Sequence, residues 1–219
     1  MKQIGLFGGT FNPIHLGHLR AALEVKEHFN LDQIYLIPSA IPPHKETIVV
    51  ADANDRLEML RLAAVNHPDL TVSDIELNRP GPSYTIDTVR FYKSSLPDST
   101  LHYLIMGIDA FLEIDLWKSY GDLFDIIPFI VISRPDPAAL SSWKIFEEFL
   151  KSQISKNYEF QPSDQSYRHA TKKTIFIMNV TAIGISSTQI RELAHNSQSL
   201  HFLVPPSVED FIETKGIYQ

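Results

Sequence analysis

Cysteine is absent from this chain of 219 residues, which excludes disulfides, thiolate nucleophiles and cysteine-ligated metal together. Basic residues are in the minority. The 19 Lys and Arg stand against 26 Asp and Glu, a net charge of −7. That balance lacks the broad basic face needed for bulk nucleic-acid binding, so no nucleic-acid partner is expected. Small anionic ligands remain open, because a local cluster of His, Lys, Arg and backbone N–H groups can hold a phosphate whatever the net charge. Long apolar runs are lacking as well. None approaches the length of a membrane span, so no membrane partner is expected. The opening Met1-Lys2-Gln3-Ile4-Gly5 moves directly into a strand-like segment and leaves no room for a signal peptide. A cytoplasmic protein is the default expectation.

What is present is a globular pattern. Hydrophobic residues make up 44% of the chain, enough for a real core. Strands are predicted at Lys2 to Phe7, Gln33 to Pro38, Leu70 to Ile75, Leu101 to Met106, Phe129 to Ser133 and Thr174 to Met178. Gly8-Gly9-Thr10 is expected to break the first. Helices are predicted from about Leu16 to Phe29, Asn54 to Asn66, Tyr84 to Ser95 and Pro137 to Ile154, with two short ones near Ser187 to Asn196 and Val208 to Lys215. Pro42-Pro43-His44-Lys45 cannot be helical. The polar stretch from Lys156 to Lys173 has little periodicity and reads as a loop or irregular excursion. No internal repeat or low-complexity tract is visible. Apolar strands alternating with helices predict an α/β protein: a Rossmann-like, doubly wound parallel sheet with helices on both faces. A single domain over residues 1–219 is expected, with a small C-terminal helical portion from about 186 to 219. In such sheets ligands bind at the carboxyl ends of the strands. The unusual residues fall there: Gly8-Gly9-Thr10, Ser39 to Lys45, Gly107 to Asp109, and Arg134.

The first chemical signal is Gly8-Gly9-Thr10-Phe11-Asn12-Pro13-Ile14-His15-Leu16-Gly17-His18. Glycines after a first strand let backbone approach a ligand closely. His15 and His18 lie three apart at a helix start, so both imidazoles face one way, beside a terminus that favours anions. The loop is neither a G-x-G-x-x-G fingerprint nor a P-loop. On its own such a string reads first as a glycine turn with two incidental histidines, with a metal-binding pair as a third reading. The second signal is Ile185-Ser186-Ser187-Thr188-Gln189-Ile190-Arg191. Ser186 and Gln189 have capping-box spacing, and Arg191 lies one turn from Ser187 on the same side. Hydroxyls, open N–H groups and a guanidinium make a polyphosphate site, although the same string also describes an ordinary capped helix.

Taken together these segments resemble the H-x-G-H and I-S-S-T-x-I-R signatures of the nucleotidyltransferase superfamily, and their surroundings resemble bacterial nicotinate-nucleotide adenylyltransferases over nearly the whole chain. Pro42-Pro43-His44-Lys45 is similar to that family's P-P-H-K loop, and Ser83-Tyr84-Thr85 to its S-Y-T helix start. Trp117, after Gly107-Ile108-Asp109, is similar to its pyridine-stacking tryptophan. Each of these alone also has an ordinary structural explanation, as a rigid turn, a helix cap or a core aromatic. Two positions depart from many relatives: Asn12 stands where they carry Asp, and Ser39 where they carry Asn.

The resemblance implies adenylyl transfer from ATP to nicotinate mononucleotide in NAD biosynthesis, giving the dinucleotide and pyrophosphate. It assigns His15, His18 and Arg191 to catalysis. Gly8, Gly9, Thr10, Gly107, Asp109, Ser187 and Arg191 would bind ATP. Ser39, His44, Lys45, Tyr84, Thr85, Trp117 and Arg134 would bind the mononucleotide. Mg²⁺ is implied with ATP, bridging phosphate oxygens, without a dedicated set of protein metal ligands. Assembly as a homo-oligomer is left open. Competing readings are a preference for the amide mononucleotide, action on phosphopantetheine, or a non-catalytic nucleotide-binding protein on the same fold.

Overall fold

The computed structural model describes residues 1–40, 50–133 and 139–219, with the side chains of 139–141 excepted. In chain order the elements are β1 (Gln3–Gly9), α1 (Leu16–Phe29), β2 (Gln33–Pro38), α2 (Ala53–Ala64), β3 (Leu70–Val72), α3 (Thr85–Ser95) and β4 (Leu101–Gly107). Next come α4 (Ile108–Phe111), a 3₁₀ turn (Ile114–Leu116), α5 (Tyr120–Ile126), β5 (Phe129–Ser133) and α6 (Ala139–Phe149), which runs into a π-helical turn (Leu150–Ile154). The chain then forms β6 (Glu159–Gln161), β7 (Ser166–Arg168), β8 (Ile175–Asn179), α7 (Ser187–His195) and α8 (Pro206–Lys215).

The strands form one sheet in the order β3-β2-β1-β4-β5-β8-β7-β6. The six strands from β3 to β8 are mutually parallel, and the β6–β7 hairpin adds an antiparallel edge to β8. This is the expected Rossmann-like, doubly wound α/β architecture. Side chains alternate across the pleat, so each strand feeds two cores. Phe7, Ile34, Leu36, Ile105 and Ile130 point to one face and pack on α1, α2, α7 and α8 through residues such as Val25, Leu60, Ile190 and Ile212. Ile4, Leu6, Leu104, Met106 and Phe129 point to the other and pack on α3 to α6 through Val89, Phe111, Phe124 and Phe146. The two-sided burial explains why the strand sequences read as continuous apolar runs.

Sheet order reverses between β1 and β4. Their ladder ends at Phe7–Ile105. Yet β1 continues beside β2 to Gly9, and β4 beside β5 to Gly107. The two central strands therefore part company at their carboxyl ends, which opens a crevice at the topological switch point.

Three local expectations are corrected. Gly8 and Gly9 do not break β1, because they still pair in register with Ile37 and Pro38; the strand ends after Gly9. The 156–173 stretch is not a loop. It contains the β6–β7 hairpin, held by buried Tyr158 and Tyr167 and by the Tyr158 hydroxyl donating to the Lys173 carbonyl at 3.0 Å. Two short helices, α4 and α5, fill a region where none was expected. The Pro42–Lys45 loop lies outside the described residues.

Ile130, in β5, is fully buried. Ile130→Ala should lower unfolding free energy by about 2–5 kcal/mol through lost burial and a residual cavity. Urea unfolding should show an earlier midpoint at unchanged m-value; a loss below about 1 kcal/mol would mean that the sheet centre is loosely packed.

Candidate functional site

The crevice edge is built by the chain from Thr10 to His18. Phe11 sits in the left-handed region at φ 47, an uncommon conformation for a bulky residue. It is held there because its ring is buried between Phe7, edge-on at 5.8 Å, and His18, edge-on at 5.2 Å. The Asn12–Pro13 peptide bond is cis. His15 is 1% exposed and is the N-cap of α1: its Nδ1 accepts the His18 backbone N–H at 3.3 Å. A neutral ring that accepts at Nδ1 carries its proton on Nε2. The rings of His15 and His18 stack at 3.7 Å between centroids, 22° from parallel. The terminus is less open to anions than its sequence implies, since the Leu16 N–H is taken by the Leu203 carbonyl at 3.0 Å.

Helix α7 docks onto this same loop from the far end of the chain. Ser186 caps it, accepting the Gln189 N–H at 3.1 Å, as the capping-box spacing implied. The Ser187 hydroxyl donates to the Pro13 carbonyl at 3.0 Å. Arg191 donates to the Asn12 carbonyl at 2.9 Å and to the Thr188 hydroxyl at 3.1 Å. Two of its five guanidinium N–H groups are thus committed to protein, and the fork is set against the histidine loop.

Arg56 on α2 is a structural partner that no motif signalled. It is 1% exposed and donates to three carbonyls: Ala51 at 3.1 Å, Thr10 at 2.8 Å and Ala40 at 3.0 Å. Burial lowers its pKa, partly offset by nearby Tyr218 and Asp52, but an arginine remains charged. The one clue in sequence was its spacing: Arg56 shares a helix face with Leu60 and Ala63, both buried. A cation on an apolar stripe must find carbonyls or carboxylates.

Ser39, just past β2, donates its backbone N–H to the Gly9 carbonyl at 2.9 Å. Its buried hydroxyl has no hydrogen-bond partner among the described residues. Across the switch point Gly107 ends β4 and is the N-cap of α4. A Cβ there would collide with the Asp109 carboxylate, so only glycine lets that carboxylate fold back over the end of β4.

The pyridine-associated residues lie against the other core. Tyr84 caps α3 by backbone alone, with Thr85 as its first residue. The Lys118 ammonium sits over the Tyr84 ring at 4.3 Å, which draws the Trp117 segment alongside the start of α3. Trp117 and Tyr84 both pack on the second core. The turn before α3 is braced by Arg79, which donates to Ser83 at 2.5 Å and to Thr88 at 3.2 Å, while Thr88 donates to Glu76 at 2.8 Å. The structure therefore gathers His15, His18, Ser187 and Arg191 on one side and Tyr84, Thr85 and Trp117 on the other. Gly8, Gly9, Thr10, Ser39, Gly107 and Asp109 lie at the strand ends. His44, Lys45 and Arg134 lie outside the described residues.

Residues 6–193 match the family described as cytidylyltransferase-like. A protein of Desulfatibacillum aliphaticivorans named "probable nicotinate-nucleotide adenylyltransferase" is 42% identical over 218 residues, covering 99% of each chain. One of the same name from Trichlorobacter lovleyi is 40% identical over 217 residues, again covering 99% of both. Among solved structures, the Plasmodium falciparum nicotinic acid mononucleotide adenylyltransferase complexed with NaAD superposes with a TM-score of 0.70 at 16% identity, over 100% of this chain and 98% of that one. That last likeness speaks for the fold.

Burial raises the Glu76 carboxyl above its ordinary range, against the opposing Thr88 hydrogen bond and Arg79 charge. A raised carboxyl favours the fold while protonated. Its contribution is complete below the unfolded value, about 4.3, and is lost as pH climbs through the folded value. Glu76→Gln cannot ionise, so its stability relative to the wild type should grow as pH rises from about 4 through the raised folded value. Urea unfolding across that range measures it, and a flat difference would contradict the buried, raised carboxyl.

Proposed function

The chain belongs to the nicotinate-nucleotide adenylyltransferases, within the cytidylyltransferase-like family, and from that membership we propose that it transfers the adenylyl group of ATP to nicotinate mononucleotide in NAD biosynthesis. The observation that carries this reading is the docking of α7 on the histidine loop. Through Ser187–Pro13 and Arg191–Asn12 it sets two imidazoles and a guanidinium together at the mouth of the switch-point crevice.

The 5′-phosphate oxygen of the mononucleotide attacks the α-phosphorus of ATP; the bond from that phosphorus to the β-bridging oxygen breaks, and pyrophosphate leaves. The nucleophile is already an anion at neutral pH, so no general base is needed. The protein has to bring two polyanions together and stabilise charge that develops in the transition state. His15 and His18, with Thr10 and the Gly8-Gly9 backbone, are assigned to the α-phosphate side. The α7 start, with Ser187 acting through its backbone N–H because its hydroxyl is held by Pro13, and the uncommitted N–H groups of Arg191 take the β- and γ-phosphates. Gly107 and Asp109 are placed at the nucleotide sugar. Tyr84, Thr85 and Trp117 frame the pyridine, Ser39 lies beside it, and His44, Lys45 and Arg134 serve the mononucleotide. The groups at the cradle are imidazoles, hydroxyls and a guanidinium, which suit phosphate oxygens. Mg²⁺ would enter with ATP as part of that substrate and would supply charge neutralisation at the phosphates.

Two substitutions separate the roles. His18→Ala should lower kcat by about 10²-fold or more with the fold intact, since it removes a transition-state contact. Arg191→Ala should act chiefly on the ATP terms. Steady-state kinetics with each substrate varied checks both. An Arg191→Ala effect confined to the mononucleotide terms would reverse the placement of the substrates.

The acid should be preferred over the amide. A carboxylate is acceptor-only, whereas a carboxamide presents an NH₂ donor. The start of α3 offers backbone N–H groups and the Thr85 hydroxyl, and a donor-lined pocket leaves the amide facing donors. Rejection on this basis is on the order of 10²-fold. Pyrophosphate release with ATP, Mg²⁺ and each mononucleotide gives the ratio of kcat/KM values. A ratio near one, or one favouring the amide, would overturn the pocket assignment and leave adenylyl transfer standing.

A further inference from the structure

The Tyr218 hydroxyl donates to the Asn12 side-chain oxygen at 2.7 Å. Asn12 is 4% exposed, and the same oxygen accepts the Ala51 backbone N–H at 3.0 Å. The carbonyl of Asn12 is in turn the acceptor for Arg191 at 2.9 Å. One buried residue therefore joins the segment after α8, the approach to α2 and the phosphate-facing helix α7. We infer that Tyr218 is a positioning residue for the phosphate cradle: by fixing the Asn12 side chain it fixes the carbonyl against which the Arg191 guanidinium is aimed. This rests on the functional reading above and extends it to a residue that touches no substrate in that reading.

The backbone around Tyr218 is shaped for this contact. Helix α8 stops at Gly216, in the left-handed region at φ 63, whose N–H returns to the helix carbonyls. Tyr218 is itself left-handed at φ 72. For an aromatic residue that conformation is costly and persists only where its contacts over-determine it. The ring packs on the first core. Burial holds the phenol above its ordinary range, against the pull of Arg191 and Arg56, so it remains a protonated donor. Removing the hydroxyl takes one donor from the Asn12 oxygen and loosens its in-plane orientation. The disturbance is handed to the carbonyl that Arg191 grips.

Tyr218→Phe keeps the ring and deletes only this donor. It should raise the KM for ATP, or lower kcat/KM for ATP, by about tenfold, the size of one buried hydrogen bond. KM for the mononucleotide should stay close to wild type. Hydrogen exchange should speed up in amides 10–18 and stay unchanged in the central strands. In an Asn12→Ala background the same substitution should have little further effect, as expected for two partners in one contact. A purely structural tether would instead lower the melting temperature with ATP kinetics and local exchange unaltered, or add its cost in full to Asn12→Ala; either result overturns the inference. Wild-type protein that released no pyrophosphate would remove the functional reading, and exchange at 10–18 would still decide whether Tyr218 holds the loop.

Discussion

Three backbone carbonyls in one short loop, those of Thr10, Asn12 and Pro13, are each satisfied by a side chain rather than by secondary structure. Their donors are Arg56, Arg191 and Ser187. A segment with a proline, a left-handed phenylalanine and no ladder partner cannot pair its own carbonyls, and buried carbonyls left unpaired are costly. The donors lie 46, 179 and 174 residues downstream. The histidine loop consequently takes its shape only when α2 and α7 have docked. Two of the three bonds come from guanidinium groups, and charge-assisted bonds of this kind hold geometry more firmly than neutral ones. What looks like a local motif is thus a tertiary object.

The division of the sheet into two cores carries over to the chemistry. Helices α1 and α7, which hold the imidazoles and Arg191, pack on one face. Helix α3 and the Trp117 segment pack on the other. The starts of α1 and α3 both follow strand carboxyl ends, on the edge where β1 and β4 part. A reaction between two nucleotides benefits from this arrangement, because each substrate can be gripped by its own layer while the reacting phosphates converge on the crevice. Small residues at the strand ends, Gly9 and Gly107 among them, keep that edge low.

Much of the fold was legible in the sequence because burial on both faces leaves a strong imprint. The continuous apolar runs of β2 and β5 are bounded as their composition indicates, and α1 begins and ends where its pattern does. Strand β1 outran its expected end because glycine disfavours a strand without forbidding one, and neighbouring β2 supplies the register. The β6–β7 hairpin was invisible for the opposite reason. Each strand is three residues long, its composition is polar, and two tyrosines are too few to set a period. It exists because the edge of β8 offers a template. The short α4 and α5 escaped notice because helices of four and seven residues show little periodicity.

Contiguous strings nominate residues for the candidate site, whereas a side chain that works through the backbone of a distant segment leaves no such string. His15, His18, Ser187 and Arg191 stood out as strings, whereas Arg56 and Tyr218 belong to no string: Arg56 is marked only as a cation on an apolar helix stripe, and Tyr218 only by the amide oxygen it reaches. The commitment of the Ser187 hydroxyl to Pro13 could not be read from a motif that lists it as a phosphate ligand. The claim beneath all of this is that the loop clasped by α7 is the triphosphate cradle. A crystal structure with a non-hydrolysable ATP analogue tests it directly. The phosphates should lie between the stacked His15 and His18 rings and the Arg191 fork; phosphates found instead beside Tyr84 and Trp117, with the cradle empty, would contradict the account.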